Sequence, residues 1–221
     1  MTHNALVIGA SGGIGAALAA ELAARGASVT TLSRKTDGLD ITDAGSIARI
    51  IGALEGPFDA VIVATGILAP DGGAPEKALD AVTAEAMART FAVNAIGPAL
   101  VLAQVPRLLP REGRAVVGVL TARVGSIGDN RLGGWHSYRA SKAAANQIVR
   151  GAAIEIGRRR KEAVVVALHP GTVETPFTAG YTGHAKMTAD EAAGRLLDVL
   201  EGLTPAQSGG FFDYAGSEVP W

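Results

Sequence analysis

Residues 5–25 read ALVIGASGGIGAALAAELAAR, and this stretch decides the fold class of the chain. The first four residues, Ala5–Ile8, form a continuous apolar run, which predicts a parallel strand buried on both faces. Residues 13–25 are rich in Ala and Leu and stop at Gly26, so they predict a helix that ends at that glycine. A buried strand, a glycine-rich bend and a helix in this order indicate the first unit of a doubly wound α/β sheet.

The bend between this strand and helix has the spacing G-x-x-x-G-x-G rather than G-x-G-x-x-G. Glycines allow a sharp turn and let backbone N–H groups approach a pyrophosphate, while the helix N-terminus adds partial positive charge. We therefore expect the bend to bind a dinucleotide through Gly9, Ser11, Gly13, Ile14 and Gly15. The alternative is that the glycines serve only the packing of a tight turn.

The rest of the chain continues the alternation of short apolar runs with longer helical stretches. Further strands are expected at Ala27–Leu32, Phe58–Ala64, Ala115–Leu120, Ala163–Leu168 and Gly210–Phe212. Further helices are expected at Ala44–Leu54, Ser137 to about Arg158 and Ala189–Leu200, and also over Thr83–Leu109, where Gly97-Pro98 should kink or break the helix. The pattern predicts a single Rossmann-like domain over residues 1–221, with a doubly wound parallel sheet in three layers.

The amino-acid composition and charge limit the classes of protein and of partner that fit this chain. Hydrophobic residues make up 48% of the 221 residues and charged residues 19%, as expected of a packed globule. Lys and Arg number 20 against 21 Asp and Glu, so we expect no nucleic-acid partner and no membrane partner. The N-terminus lacks a signal-peptide pattern, and the expected location is the cytoplasm. There is no cysteine, and His3, His169 and His184 are too scattered for a metal site.

The end of the second strand discriminates between the two nicotinamide cofactors. A carboxylate there would bind a ribose 2′-hydroxyl, whereas a cation would tolerate a 2′-phosphate. The sequence reads Ser33-Arg34-Lys35 at this point, without an acid at the strand tip. This favours NADP over NAD, although a solvated Arg-Lys pair in a turn would give the same sequence.

Tyr138 and Lys142 stand four residues apart near the start of a predicted helix, so they share one helical face. A free phenol has a pKa of about 10, and a nearby ammonium favours the phenolate and lowers that value. The pair can therefore act as a general acid/base in the interconversion of a carbonyl and an alcohol. The apolar run Ala143–Ala145 that follows favours a buried helix over a solvated one.

The combination of four motifs resembles the classical short-chain dehydrogenase/reductase family. These motifs are Gly9–Gly15, Asn94 within Val93–Gly97, Tyr138-x-x-x-Lys142, and Pro170-Gly171 after a late strand. Residues 123–135 and 210–221 are similar to the C-factor-like (CsgA-type) branch, which is small, bacterial and poorly defined in substrate. The resemblance covers essentially the whole chain and implies an oxidoreductase that acts on a small carbonyl or alcohol, and a homodimer or homotetramer.

The resemblance also implies roles for individual residues. Tyr138 would be the catalytic acid/base, Lys142 would lower its pKa and hold the nicotinamide ribose, and Asn94 would organise a water linking Lys142 to solvent. Asp40 and Ile41 would contact the adenine. The remaining cofactor contacts would come from Ala64, Thr65, Gly66, Pro170, Gly171, Val173 and Thr175. A lid over the substrate is expected near residues 175–188, where Phe177 and Tyr181 select an apolar carbonyl or serve only as hydrophobic plugs.

Three departures from the family pattern affect these expectations. The strand that usually ends Asn-Asn-Ala-Gly reads Val63-Ala64-Thr65-Gly66, and too few residues separate Arg34 from Asp40 for the usual crossover helix, so that sheet edge should be abbreviated. The serine that usually polarises the substrate carbonyl is replaced by Ala122. Ser126 or Thr121 could supply the hydroxyl, and we favour Ser126, although a loop-capping role fits it as well.

Two functions are compatible with these residues. The first is an NADP-dependent carbonyl reductase or alcohol dehydrogenase, which Tyr138, Lys142 and the glycine bend favour. The second is a dinucleotide-binding regulatory or signalling protein with weak or vestigial catalysis, which Ala122 and the missing Asn pair favour.

Overall fold

A computed structural model describes residues 2–180 and 185–221 of the chain. Six parallel strands form one sheet in the order β2-β1-β3-β4-β5-β6. Their bounds are β1 Asn4–Ile8, β2 Ser28–Leu32, β3 Ala60–Val63, β4 Ala115–Leu120, β5 Ala163–His169 and β6 Phe211–Asp213. The Rossmann-like parallel sheet predicted from the sequence is confirmed.

Helices cover both faces of this sheet. They are α1 Gly13–Ala24, α2 Arg34–Asp37, α3 Ala44–Ile50, α4 Ala84–Phe91, α5 Gly97–Leu108, α6 His136–Arg159 and α7 Ala189–Gly202. Helix α1 ends as expected, since Gly26 follows it with φ 90°. Asp43 caps α3 by accepting hydrogen bonds from the N–H groups of Gly45 and Ser46.

Successive residues of each central strand point to opposite faces and enter two separate cores. Leu6 and Ile8 of β1 belong to the core that includes residues of α3, α5 and α6, whereas Ala5 and Val7 belong to the core that includes residues of α1 and α7. All four are essentially inaccessible to solvent. This double burial explains why β1 is a continuous apolar run instead of an alternating one.

Of the kink or break expected at Gly97-Pro98, the break does not occur, because the helical path continues through it. Residues Ala92–Ile96 form one turn of π-helix that joins α4 to α5, and Pro98 lies in the first turn of α5. The wider turn accommodates a proline that cannot donate an N–H to the helical ladder. The π turn also brings Asn94 to the interior of the protein, where it is fully buried.

The edge at β2 is abbreviated, as the short spacing to Asp40 predicted. Only the four-residue helix α2 lies between β2 and Asp40, and β2 is the edge strand of the sheet. At the same strand tip, Ser33 caps α2 by accepting a hydrogen bond from the Thr36 N–H, while the Asp37 carboxylate accepts the Ser33 N–H at 2.7 Å.

Within residues 2–180 and 185–221, one helical run is long and apolar enough to match a membrane span in length and composition, namely residues 84–108, with a mean hydropathy of 1.4 over its most apolar window. Its apolar side chains have another explanation in this fold. Val101, Leu102, Val105 and Leu108 are all buried in the core that α5 shares with α3 and α6.

Candidate active site

The glycine bend between β1 and α1 is shaped by the absence of side chains. Gly9 has φ 93°, and its N–H donates to the Leu32 carbonyl at 2.8 Å. A Cβ on Gly15 would lie 2.3 Å from the Gly9 carbonyl oxygen, so no larger residue fits there. Helix α1 starts with Gly12 as N-cap and has no side-chain cap. Its first N–H groups therefore have no side-chain acceptor and can serve an anion.

A cavity of about 960 Å³ opens at the carboxyl-terminal edge of the sheet, beside this bend. In open α/β sheets, ligands bind at this edge. Thirteen of the residues predicted from the sequence line the cavity: Ser11, Gly13, Ile14, Gly15, Ala64, Thr65, Gly66, Tyr138, Lys142, Pro170, Gly171, Val173 and Thr175. The volume is within the range of small-molecule and cofactor sites.

Tyr138 and Lys142 enter the cavity from the first two turns of α6. Both side chains are buried, with 6% and 4% relative exposure, and the Lys142 Nζ lies 5.9 Å from the centroid of the Tyr138 ring. Lys142 Nζ also donates to the Leu120 carbonyl at 3.2 Å. Burial lowers the pKa of Lys142 from 10.5 to about 8. The phenol thus faces the same cavity as the glycine bend instead of bulk water.

Asn94 lies behind the cavity wall and fixes the chain that follows β3. Its Oδ1 accepts the Ile67 N–H at 2.8 Å, and its Nδ2 donates to the Ile67 carbonyl at 2.8 Å and to Ser141 Oγ at 3.1 Å. A Cβ on Gly66 would lie 3.2 Å from Lys142 Nζ and 3.4 Å from Asn94 Oδ1. Asn94 and Lys142 therefore converge on the backbone of Gly66.

The structure does not place Ser126 in the wall of the cavity that Tyr138 and Lys142 line. Ser126 is 2% exposed, does not line the cavity, and its Oγ accepts the Asp129 N–H at 3.0 Å, which is the loop-capping role. Thr121 does line the cavity wall. Among the described residues, the buried Thr121 Oγ1 has no hydrogen-bond partner. Thr121 is therefore the better candidate for the second hydroxyl.

The other residues that were predicted to contact the cofactor do not line the cavity. Gly9 packs against Ala64, because a Cβ on Gly9 would lie 2.9 Å from the Ala64 carbonyl carbon. Ser33 and Arg34 follow β2, and Arg34 is exposed. The Asp40 carboxylate accepts hydrogen bonds from the Thr42 side chain and N–H, which lowers its pKa. The Ile41 side chain lies against Gly97. Contacts of these residues with an adenosine stay predictions.

Several cavity residues were missed by the sequence analysis. Leu68, Arg139 and His169 line the cavity. Burial lowers the pKa of His169 to about 4, so its imidazole is neutral near pH 7. Its position as the last residue of β5, at the ligand-binding edge of the sheet, was the signal available in the sequence. Arg139 donates to the carbonyls of Gly133, Gly134 and Val124 and so holds the loop before α6.

Aromatic rings flank the Tyr138 phenol. The ring centroid of Trp135 lies 6.2 Å from that of Tyr138, and the ring centroid of Phe177 lies 6.0 Å from it. Both side chains line the cavity. Of the predicted lid over residues 175–188, Tyr181 and His184 lie outside the described residues, so the lid stays a prediction.

The comparisons with other sequences agree with this architecture. A family model described as "Enoyl-(Acyl carrier protein) reductase" matches residues 33–200. The chain is 43% identical over 136 residues to "C-signal" of Myxococcus xanthus, covering 61% of this chain and 78% of that protein. It is also 34% identical over 206 residues to "1-hydroxy-2-glutathionyl-2-methyl-3-butene dehydrogenase" of Rhodococcus sp. (strain AD45), covering 91% of this chain and 84% of that protein.

Solved structures show the same fold. Carbonyl reductase Sniffer of D. melanogaster superposes over 100% of both chains with a TM-score of 0.82 at 20% identity, a likeness of fold alone. A short-chain dehydrogenase/reductase from Burkholderia multivorans with bound NADP superposes over 100% of both chains with a TM-score of 0.79 at 28% identity.

Proposed function

Because the chain belongs to the short-chain dehydrogenase/reductase family, in its C-factor-like branch, we propose that it is an NADP(H)-dependent oxidoreductase that interconverts a small carbonyl and an alcohol. One observation carries the proposal: Tyr138 and Lys142 line the same cavity as the glycine bend. The bound nicotinamide would supply or accept the hydride. The neighbour from Burkholderia multivorans, which holds NADP, supports the choice of cofactor.

The residues of the cavity fit a dinucleotide. The N–H groups at the start of α1 can bind a pyrophosphate. A Cβ on Gly13 would lie 2.7 Å from the Thr175 side chain, so the glycine bend and the loop after β5 are in close contact at this point. Thr65 Oγ1 is buried without a hydrogen-bond partner among the described residues. A bound ligand could supply the missing hydrogen bond. Ser11, Ile14, Ala64, Gly66, Pro170, Gly171 and Val173 would complete the cofactor site.

In this proposal Tyr138 moves the proton of the reaction. Its phenol donates a proton to the carbonyl oxygen of the substrate during reduction, and its phenolate accepts the hydroxyl proton during oxidation. The ammonium of Lys142, on the same face of α6, favours the phenolate. Asn94 holds the Ile67 backbone and Ser141, and thereby maintains the spacing between the chain after β3 and α6. The apolar rings of Trp135 and Phe177 favour an apolar substrate.

The preference for NADP is tested at Arg34. This side chain is exposed at the tip of β2, and an ion pair with a 2′-phosphate is a charge-assisted interaction. We expect Arg34→Ala to raise the Kd of NADPH by about tenfold or more and to leave the Kd of NADH unchanged. Fluorescence titration with both cofactors measures this. Arg49→Ala, which removes an exposed arginine of α3, is the matched control, and equal losses for NADPH and NADH would contradict the assignment.

We also propose that Thr121 supplies the hydroxyl that Ala122 lacks. Thr121 is 4% exposed, lines the cavity and has an unpartnered Oγ1 among the described residues. We expect the isosteric Thr121→Val to lower kcat by about tenfold, because one hydrogen bond to the reacting oxygen is lost. Ser126→Ala should leave kcat near the wild-type value. Steady-state kinetics of the two variants decide between the hydroxyls. A large fall in kcat in Ser126→Ala with little change in Thr121→Val would assign the role to Ser126 instead.

The proposed activity is tested by NADPH consumption with a panel of apolar aldehydes and ketones. Turnover of at least one of them is the expected result. A second candidate function, a dinucleotide-binding regulatory protein, is favoured by Ala122 and by the Val63-Ala64-Thr65-Gly66 strand end. That candidate predicts NADPH binding without turnover across the whole panel, which would contradict the enzymatic proposal.

We further propose that the protein acts in the cytoplasm as a homodimer or homotetramer built through α5 and α6. Ile96, in the π turn directly before α5, and Ile154, on α6, are 51% and 53% exposed. Pairing of these helices with a second copy would bury them.

A further inference from the structure

Helix α6, which carries Tyr138 and Lys142, has no local N-terminal cap. The residue before it, Trp135, has left-handed backbone angles, with φ 53° and ψ 40°, and its side chain caps no N–H group. The first turn is nevertheless buried, since Ser137 is 3% exposed. A buried helix start needs hydrogen-bond acceptors for its free N–H groups, and these must therefore come from elsewhere in the chain.

Glu76 supplies these acceptors from 61 residues away in the sequence. One of its carboxylate oxygens accepts the Ser137 N–H at 3.2 Å, and the other accepts the Ser137 hydroxyl. The backbone carbonyl of Glu76 accepts the Trp135 N–H at 2.5 Å. The hydrogen bonds to Ser137 lower the pKa of the Glu76 carboxyl against the opposing effect of burial, so the group is ionised at neutral pH.

Glu76 belongs to residues 67–82, a segment that we name the strap and that is held at two points ahead of Glu76. At its beginning, the Ile67 backbone is held by Asn94. Further along, Asp71 makes two hydrogen bonds of 2.7 and 2.6 Å with the guanidinium of Arg89 on α4. Leu68 of the strap lines the cavity directly. The strap thus connects the end of β3, where the cofactor is proposed to bind, with the start of α6.

We propose that Glu76 is a positioning residue, whose carboxylate caps α6 from the strap and thereby fixes the place of Tyr138 in the cavity. Tyr138 follows Ser137 directly, so a shift of the capped turn moves the phenol. The negative charge of the Glu76 carboxylate also lies at the positive end of the α6 helix dipole, and this attraction further stabilises the first turn of α6. The inference rests on the proposed function only for its effect on turnover, whereas the capping itself is independent of it.

The capping is tested by hydrogen exchange of the Ser137 amide, followed by NMR. In the wild-type protein and in Glu76→Gln, which keeps an acceptor oxygen, we expect this amide to be protected. In Glu76→Ala it should exchange faster, while the Val149 amide in the middle of α6 stays protected and reports an intact fold. The exposed Glu55 gives the matched control, Glu55→Ala. Unchanged protection of Ser137 in Glu76→Ala would overturn the proposal.

The positioning of Tyr138 is tested by two further measurements. The chain contains three tyrosines, so the ¹³Cζ resonance of Tyr138 in tyrosine-labelled protein is assigned by its loss in Tyr138→Phe. We expect the chemical shift of this resonance to change in Glu76→Ala and to stay at its wild-type value in Glu76→Gln. With 1-phenylpropane-1,2-dione as the probe carbonyl, kcat should fall by about 10- to 100-fold in Glu76→Ala, with the Kd of NADPH unchanged and kcat largely restored in Glu76→Gln.

The outcomes separate the two proposals. A shifted Tyr138 resonance in a wild-type protein that reduces no carbonyl would retain Glu76 as the positioning residue and remove the proposed enzymatic function. An unshifted resonance together with unchanged kcat in Glu76→Ala would overturn the role of Glu76 and leave the enzymatic function standing. A fall in kcat that Glu76→Gln does not restore would also overturn the capping account, since an acceptor for the Ser137 N–H is retained there.

Discussion

We expect Tyr138→Phe to lower kcat for carbonyl reduction by about 10²- to 10⁴-fold, because it removes only the hydroxyl that would move the proton. The ring stays, so its contacts with Trp135 and Phe177 are retained. The Kd of NADPH should therefore change little. Steady-state kinetics combined with fluorescence titration of NADPH measure both quantities.

Tyr214→Phe is the matched control for this experiment. Tyr214 lies beside His169, with ring centroids 6.5 Å apart, and does not line the cavity. We expect its variant to keep wild-type turnover. Wild-type turnover in Tyr138→Phe would show that another group moves the proton.

The second large effect is expected for Lys142→Met, which should abolish turnover and yet stabilise the ligand-free protein. Burial lowers the pKa of Lys142 from 10.5 to about 8, and each pKa unit corresponds to about 1.4 kcal/mol. The buried ammonium therefore lowers the free energy of unfolding by about 3 kcal/mol at neutral pH. The hydrogen bond from Lys142 to the Leu120 carbonyl, which methionine cannot make, offsets about 1 kcal/mol of this destabilisation. The net gain of about 2 kcal/mol should raise Tm by about 4–8 °C.

The pH dependence of this gain follows from the direction of the pKa shift. Folding disfavours the charged form of Lys142, so the destabilisation is fully present below the folded-state pKa of about 8. It shrinks as the pH rises from 8 and is lost well above the unfolded-state value of 10.5, because the amine is then neutral in both states. Urea unfolding of both proteins at pH 7 and pH 9.5 measures the difference. A gain in the unfolding free energy that is equal at both pH values would contradict the assigned pKa.

Much of the fold could be predicted from the sequence because its main elements leave local patterns. Doubly buried strands such as Ala5–Ile8 are uninterrupted apolar runs, and Gly26 ends α1 by adopting φ 90°. The π turn at Ala92–Ile96 could not be predicted, because Pro98 signals only a missing N–H and not how the helix accommodates it.

The candidate site could be predicted where a motif places a residue on a known element. Tyr138 and Lys142 reach the cavity because both lie on one face of α6, and the glycine bend reaches it because it follows β1. The choice between Ser126 and Thr121 depended on which hydroxyl already has a hydrogen-bond partner, and residue order does not contain that information. Glu76 was missed for a similar reason, since its contact with Ser137 spans 61 residues.

The central claim is that the cavity brings together a cofactor and the Tyr138 phenol for hydride transfer to a carbonyl. It is tested most directly with NADPH that carries deuterium on one or the other face of C4. The account predicts that the deuterium of one of the two cofactors appears on the carbinol carbon of the product, with one deuterium transferred for each NADPH consumed, and that Tyr138→Phe suppresses this transfer. NADPH that binds to the protein but transfers deuterium from neither face to any carbonyl of the panel would contradict it.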